Sequence, residues 1–213
     1  MAFRIGIDFD NTIVCYDEVF VRIANGEGLI PRDLKGGKAE VRDYLRKLRG
    51  GEERWQRLQG RVYGDQMDRA SLFEGAARFL ARCRERDDVR VFIVSHKTEF
   101  GHFDPRGINL RDAARAWMTR HGFFDKAGFN LPGDALYFES TRYDKIERVA
   151  QLACTHFIDD LEEVLADSRF PAATRRILFL NGRSSRPAAG YEVCADWHEI
   201  EEAIFANAQC PGA

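Results

Sequence analysis

The chain has 213 residues, 45% of them hydrophobic and 31% charged, which is the balance of a folded domain with a real core and excludes wholesale disorder. Lys and Arg number 32 against 34 Asp and Glu, a net charge of −2 that argues against a protein devoted to coating nucleic acid. No apolar run approaches the ~18 residues a membrane span needs, so no membrane association is expected.

The opening segment MAFRIGIDFD reaches acidic residues without the apolar stretch of a secretory leader, so a cytoplasmic protein is expected. The five cysteines (Cys15, Cys83, Cys154, Cys194 and Cys210) are odd in number, widely spaced and without a CxxC pair. That pattern speaks against a disulfide framework or a zinc knuckle and for free thiols, the first four buried.

In chain order, the apolar run FRIGIDF (3–9) reads as a buried strand. Only helical periods follow over 15–72. Tyr16, Val19, Phe20 and Ile23 recur at three to four residues, as do Val41, Tyr44, Leu45 and Leu48, and then Trp55, Leu58 and Val62. Gly36-Gly37 and Gly50-Gly51 punctuate them. From there strand and helix alternate: a stripe from Phe73 to Cys83, the strand VRVFIVS (89–95), a stripe from Leu110 to Met118, and the strand ALYFE (135–139). A stripe from Ile146 to Ala153, the strands THFID (155–159) and RILFL (176–180), a turn-rich loop at 181–190 and a stripe from Trp197 to Ala208 complete the chain. The expected fold is α/β: a Rossmann-like parallel sheet formed by 1–14 and 73–213, with a small all-helical cap insert at 15–72.

Ligands of such sheets gather beyond the carboxyl ends of the strands. Those ends carry Asp8-Phe9-Asp10-Asn11-Thr12, Ser95-His96-Lys97 and Asp159-Asp160, with Lys145 on the helix before the fourth strand. Asp8 and Asp10 are two apart and face the same side of an extended strand. Four carboxylates at neighbouring strand ends require compensation, and a hard oxygen-seeking cation such as Mg2+ is the natural candidate. One carboxylate can then attack while another handles protons, with Ser95 holding a phosphoryl oxygen and Lys145 opposing its charge.

DFDNT at 8–12, Ser95 closing an apolar strand, Lys145 and FIDD at 157–160 resemble, in order, the four motifs of the haloacid dehalogenase (HAD) superfamily. The resemblance covers essentially the whole chain. It implies Asp8 as a nucleophile forming a phosphoaspartate and Asp10 as general acid/base, its backbone carbonyl also on Mg2+. It implies Ser95 as a phosphate ligand, Lys145 as stabiliser of Asp8, and Asp160 or Asp159 as a further metal ligand. Asn11, Thr12, His96 and Lys97 become candidate substrate contacts. The carboxylate at position 10 is the pattern of the family's phosphatases and phosphotransferases. His96 and Lys97 depart from the small or amide residue frequent after that serine.

The resemblance therefore implies a Mg2+-dependent phosphatase acting on a small phosphorylated metabolite, a sugar phosphate or a nucleotide. Two alternatives stay open: a catalytically silent binding or regulatory protein of the same fold, and a nucleic-acid 3′-phosphatase. Residues 31–70 hold 11 basic and 7 acidic residues, a local net of +4 that leaves −6 for the rest of the chain. A basic cap over an acidic floor suits a polyanionic small substrate, with Arg61, Tyr63 and Arg69 as weak contacts. The polar segment 97–111 adds His102, Asp104 and Arg106, read either as substrate contacts or, with His96, as a minor metal alternative.

Overall fold

A computed structural model describes residues 2–103, 105–182 and 190–206. In chain order it contains β1 (Phe3–Ile7), β2 (Val14–Cys15), α1 (Asp17–Gly26), α2 (Lys38–Arg46), α3 (Gly51–Tyr63), β3 (Ser71–Leu72), α4 (Ala76–Arg84) and β4 (Val89–His96). There follow α5 (Leu110–Arg120), β5 (Leu136–Glu139), α6 (Arg142–Gln151), β6 (His156–Asp159), α7 (Glu162–Leu165), β7 (Arg175–Phe179), β8 (Glu192–Cys194) and α8 (Trp197–Phe205). No helix among the described residues is long and apolar enough to cross a membrane.

The chain divides into two compact units. One gathers the residues through Ile13, Leu72–His96 and Gly122 onward. Its sheet runs β5-β4-β1-β6-β7-β8, and every pairing is parallel. This is the expected Rossmann-like sheet, with one short strand, β8, that sequence pattern did not suggest. β1 is central: Ile5 lies opposite Val91 on one side and His156 on the other. Flanked on both sides, its Ile5 and Ile7 are fully buried, which is why the run reads as continuously apolar. Gly6 is required by a close approach. A Cβ there would meet the Phe157 ring at 2.6 Å. The carboxyl-terminal helix packs through Trp197, whose indole N–H donates to the Thr12 carbonyl at 3.1 Å. That bond anchors the turn that follows β1.

The other unit comprises Val14–Ser71 and Lys97–His121. Phe20 stacks on Trp55 at 5.0 Å between centroids, and Tyr63 meets both Tyr16 and Phe20 edge-on. The aromatic residues of the helical segment therefore form its own core. Asp17 accepts from the Lys38 N–H at 2.8 Å and joins α1 to the start of α2. Glu40 reaches back to the Gly37 N–H at 2.7 Å and satisfies a donor at that helix end. Membership of 97–121 in this unit differs from the expectation that the insert ends at 72. Trp117 supplies a physical reason. Its side chain is wholly buried and its indole N–H donates to the Ala70 carbonyl at 3.0 Å.

Cys83, Cys154 and Cys194 are buried thiols and Cys15 is half-buried. Burial pushes the Cys83 thiol up to about 12, so it is inert rather than nucleophilic. Cys210, Ala208, Asp104 and most of the 181–190 loop lie outside the described residues.

Candidate active site

The strand order reverses direction at β1. β4 and β5 are added on one side, then β6, β7 and β8 on the other. That switch point is where a crevice opens beyond the carboxyl ends of a parallel sheet. Asp8 follows β1 there, Ser95 lies at the end of β4, and Asp159 and Asp160 lie at the end of β6.

Asp8 keeps its backbone in the ladder, its N–H donating to the Ile158 carbonyl at 2.9 Å. The chain then turns sharply. Asn11 takes φ +63°, a left-handed conformation that asparagine tolerates better than most residues. The turn brings the Thr12 hydroxyl to 3.4 Å from Asp8 Oδ2, a weak contact.

Lys145 comes from the first turn of α6. Thr141 caps that helix: its hydroxyl accepts from the Asp144 N–H at 3.1 Å and donates to Asp144 Oδ2 at 2.7 Å. So anchored, Lys145 Nζ donates to Asp8 Oδ1 and to Asp159 Oδ2, each at 2.6 Å. All three side chains are almost completely shielded from solvent. Asp159 uses its second oxygen to accept from the Leu161 N–H at 2.9 Å.

Burial by itself would push the Lys145 ammonium down, but the Asp159 and Asp8 carboxylates outweigh it and hold the group above its ordinary value. Burial pushes the Asp159 carboxyl up to about 7, against the pull of Lys145 and with the help of Asp8 and Asp160. Asp8, Asp159 and Asp160 each place a carboxylate oxygen within 4.8 Å of the others. Among the described residues this is the only group of His, Cys, Asp and Glu side chains so arranged. One ammonium faces three carboxylates in this cluster. The donors are all hard oxygens, which fits a hard cation rather than a thiolate- or imidazole-seeking metal.

Ser95 is 1% exposed, and its hydroxyl has no hydrogen-bond partner among the described residues. A buried hydroxyl left unpaired is costly unless a ligand completes it.

The structure thus brings together Asp8, Thr12, Lys145, Asp159 and Asp160. Asp10 is half-buried and is not one of the three clustered carboxylates. His96 is exposed, with Nε2 3.0 Å from the Ser140 carbonyl. Lys97 belongs to the other unit, where its ammonium lies 4.8 Å from the centre of the Tyr63 ring. Arg106 pairs with Asp65 at 2.6 Å in that same unit. Arg42, Arg46, Arg57 and Arg61 of the basic segment are bound to Asp43, Glu52, Glu53 and Glu27. Four of that segment's eleven basic residues are therefore answered by neighbouring acids. Sequence reasoning offered Asp160 or Asp159 as a metal ligand, and Asp159 does lie in the acidic cluster, but its place as a buried partner of Lys145 was missed. The only hint was an acidic pair following a lysine-bearing helix.

No family model and no curated protein matches the sequence. Solved structures do. A HAD family hydrolase from Deinococcus radiodurans with bound phosphate and sodium aligns over 100% of this chain and 99% of its own, at TM-score 0.59 and 15% identity. The putative HAD-hydrolase YfnB from Bacillus subtilis, bound to magnesium, covers 95% and 98% at TM-score 0.57 and 11% identity. A predicted phosphoglycolate phosphatase from Haemophilus somnus covers 93% and 96% at TM-score 0.56 and 12% identity. With these matches spanning the whole chain, and its buried lysine and acidic cluster at the carboxyl ends of the central strands, the chain has the fold of the haloacid dehalogenase hydrolases.

Proposed function

We propose that this chain is a Mg2+-dependent phosphomonoesterase that works through a phosphoaspartyl intermediate on a small phosphorylated metabolite. One observation carries the reading: Asp8 is fixed by Lys145 at the end of the central strand, within a cluster of three carboxylates. The similar structures support it, one with phosphate bound, one with magnesium, and a third, CbbY from Rhodobacter sphaeroides, in complex with xylulose-1,5-bisphosphate.

In this reading Lys145 occupies Asp8 Oδ1, so Oδ2 is the attacking oxygen. It displaces the alcohol from phosphorus, and Asp10 gives the departing oxygen its proton. Asp10 then takes a proton from water, which attacks the aspartyl phosphate, releases phosphate and restores the Asp8 carboxylate. The unpaired Ser95 hydroxyl donates to a phosphoryl oxygen. Lys145 orients Asp8 and offsets charge on the transferring group. Asp8, Asp160 and the Asp10 carbonyl would hold Mg2+, which when bound supplies charge neutralisation at the phosphoryl oxygens. Asp159, with both oxygens already engaged by Lys145 and Leu161, positions the lysine and contributes charge. The substrate is a sugar phosphate or a nucleotide.

The test is turnover of an aryl phosphate with and without Mg2+, in wild type and in Asp8→Asn. The variant keeps its fold by circular dichroism and loses at least about a thousandfold in kcat, the scale of removing a nucleophile. Wild-type rates in Asp8→Asn would refute the mechanism. No turnover in wild type, and no aspartyl adduct with beryllofluoride, would favour a silent binding protein.

A further inference from the structure

Far from the acidic cluster, the first unit holds a cavity of about 300 Å3 whose chemistry the proposed reaction does not use. It opens beside the amino-terminal half of β4, between the end of α4 and the segment around Phe123–Ala135. Arg90 and Ser95 are five residues apart on β4, about 16 Å of extended chain. The cavity and the carboxylates therefore lie toward opposite ends of one strand.

Its lining is cationic and aromatic. Arg4 and Arg90 are register partners on adjacent strands, so both guanidiniums rise from the same face of the sheet. Both sit at one ring: Arg4 Cζ is 4.9 Å and Arg90 Cζ 5.9 Å from the centre of Phe92. Arg4 spends one donor on the Leu152 carbonyl, and Arg84 binds the carbonyls of Ala127 and Gly128. None of these three arginines has a carboxylate partner among the described residues. A fourth, Arg86, is paired with Asp88 at 2.9 Å. Against the three stands one lining carboxylate, Asp134. Elsewhere on this chain arginines are routinely answered by acids within the fold. Here like charges gather around an apolar floor without that answer, an arrangement an incoming anion completes.

We infer that this cavity is a second ligand site, for a small anion carried on a flat aromatic body. The guanidiniums supply the forked donors for a carboxylate, sulfonate or phosphate, and Phe92 and its aromatic neighbours receive the ring. Its volume lies at the lower end of the range for small-molecule sites, which sets the body at about the size of one fused ring pair. The inference does not rest on the phosphatase reading.

The experiment is calorimetric titration with 2-naphthalenesulfonate, an anion a phosphatase cannot hydrolyse. Neutral 2-naphthalenemethanol serves as its partner probe. The sulfonate is expected to saturate one site. The neutral probe and Arg90→Glu each weaken binding by about tenfold or more, the scale of one charge-assisted contact, and Arg90→Gln falls between. Arg90 is exposed and has no carboxylate partner among the described residues, so both variants keep the wild-type melting profile. Asp8→Asn binds as wild type does. Absence of saturable binding overturns the inference, as does equal affinity in Arg90→Glu, or loss of binding in Asp8→Asn.

Discussion

Lys145 Nζ stands as close to Asp159 Oδ2 as it does to Asp8 Oδ1, and Asp159 is the more deeply buried of the two carboxylates. The lysine is therefore held from behind by a residue that solvent does not reach, and Asp8 meets an ammonium that has been aimed. Removing Lys145 uncovers two buried carboxylates at once.

Lys145→Met is accordingly expected to lose about 3–5 kcal/mol of stability near pH 8, the cost of stranding buried charge. Urea denaturation measures it. Adding Asp159→Asn to that variant restores a large part of the loss, because one stranded charge is gone. A single variant as stable as wild type would show that the three groups are not coupled.

Ser95→Ala separates binding from folding. The native hydroxyl is buried and unpaired, so its removal leaves the melting temperature unchanged or slightly raised. Inhibition by inorganic phosphate weakens by about tenfold, one hydrogen bond to a charged group. Unaltered phosphate inhibition would place the phosphoryl group elsewhere.

On the proposed reading, the acidic cluster would make Mg2+ binding depend on pH. The Asp159 carboxyl is raised from its ordinary value to about 7, mainly by burial. Its stabilising contribution is thus fully present below about pH 4 and is lost as the pH climbs through about 7. Mg2+ held by the neighbouring carboxylates would oppose that proton electrostatically. The rise in melting temperature caused by millimolar Mg2+ is therefore expected to be larger at about pH 8 than at about pH 5.5. Thermal scans at the two pH values decide it, and an equal rise at both would mean that no proton is displaced.

Much of this was legible in the sequence because the relevant signals are local. The apolar run at 3–9 places Asp8 at the carboxyl end of the central strand, although the strand stops at Ile7 and Asp10 lies outside the acidic cluster. Alternating strand and helix patterns sufficed for the parallel sheet. What pattern could not carry was pairing across the chain. Trp117 belongs with Ala70, 47 residues earlier, and no periodicity records that bond. β8 is only three residues long, too short to show alternation. The partnership of Lys145 with Asp159 crosses a helix end and a loop, so residue types alone did not suggest it. The unpaired Ser95 hydroxyl is a fact of packing, invisible in one dimension.

β1 is made first, yet both of its neighbours in the sheet, β4 and β6, come from far downstream. Asp8 and Lys145 are 137 residues apart. At roughly 5–20 residues per second of synthesis, Asp8 waits on the order of ten seconds before its counter-ion exists. A growing chain thus carries its central strand without β6, its second neighbour, until residue 159 has been made. The acidic cluster closes only when β6 docks against β1, making it a late event in the birth of the protein.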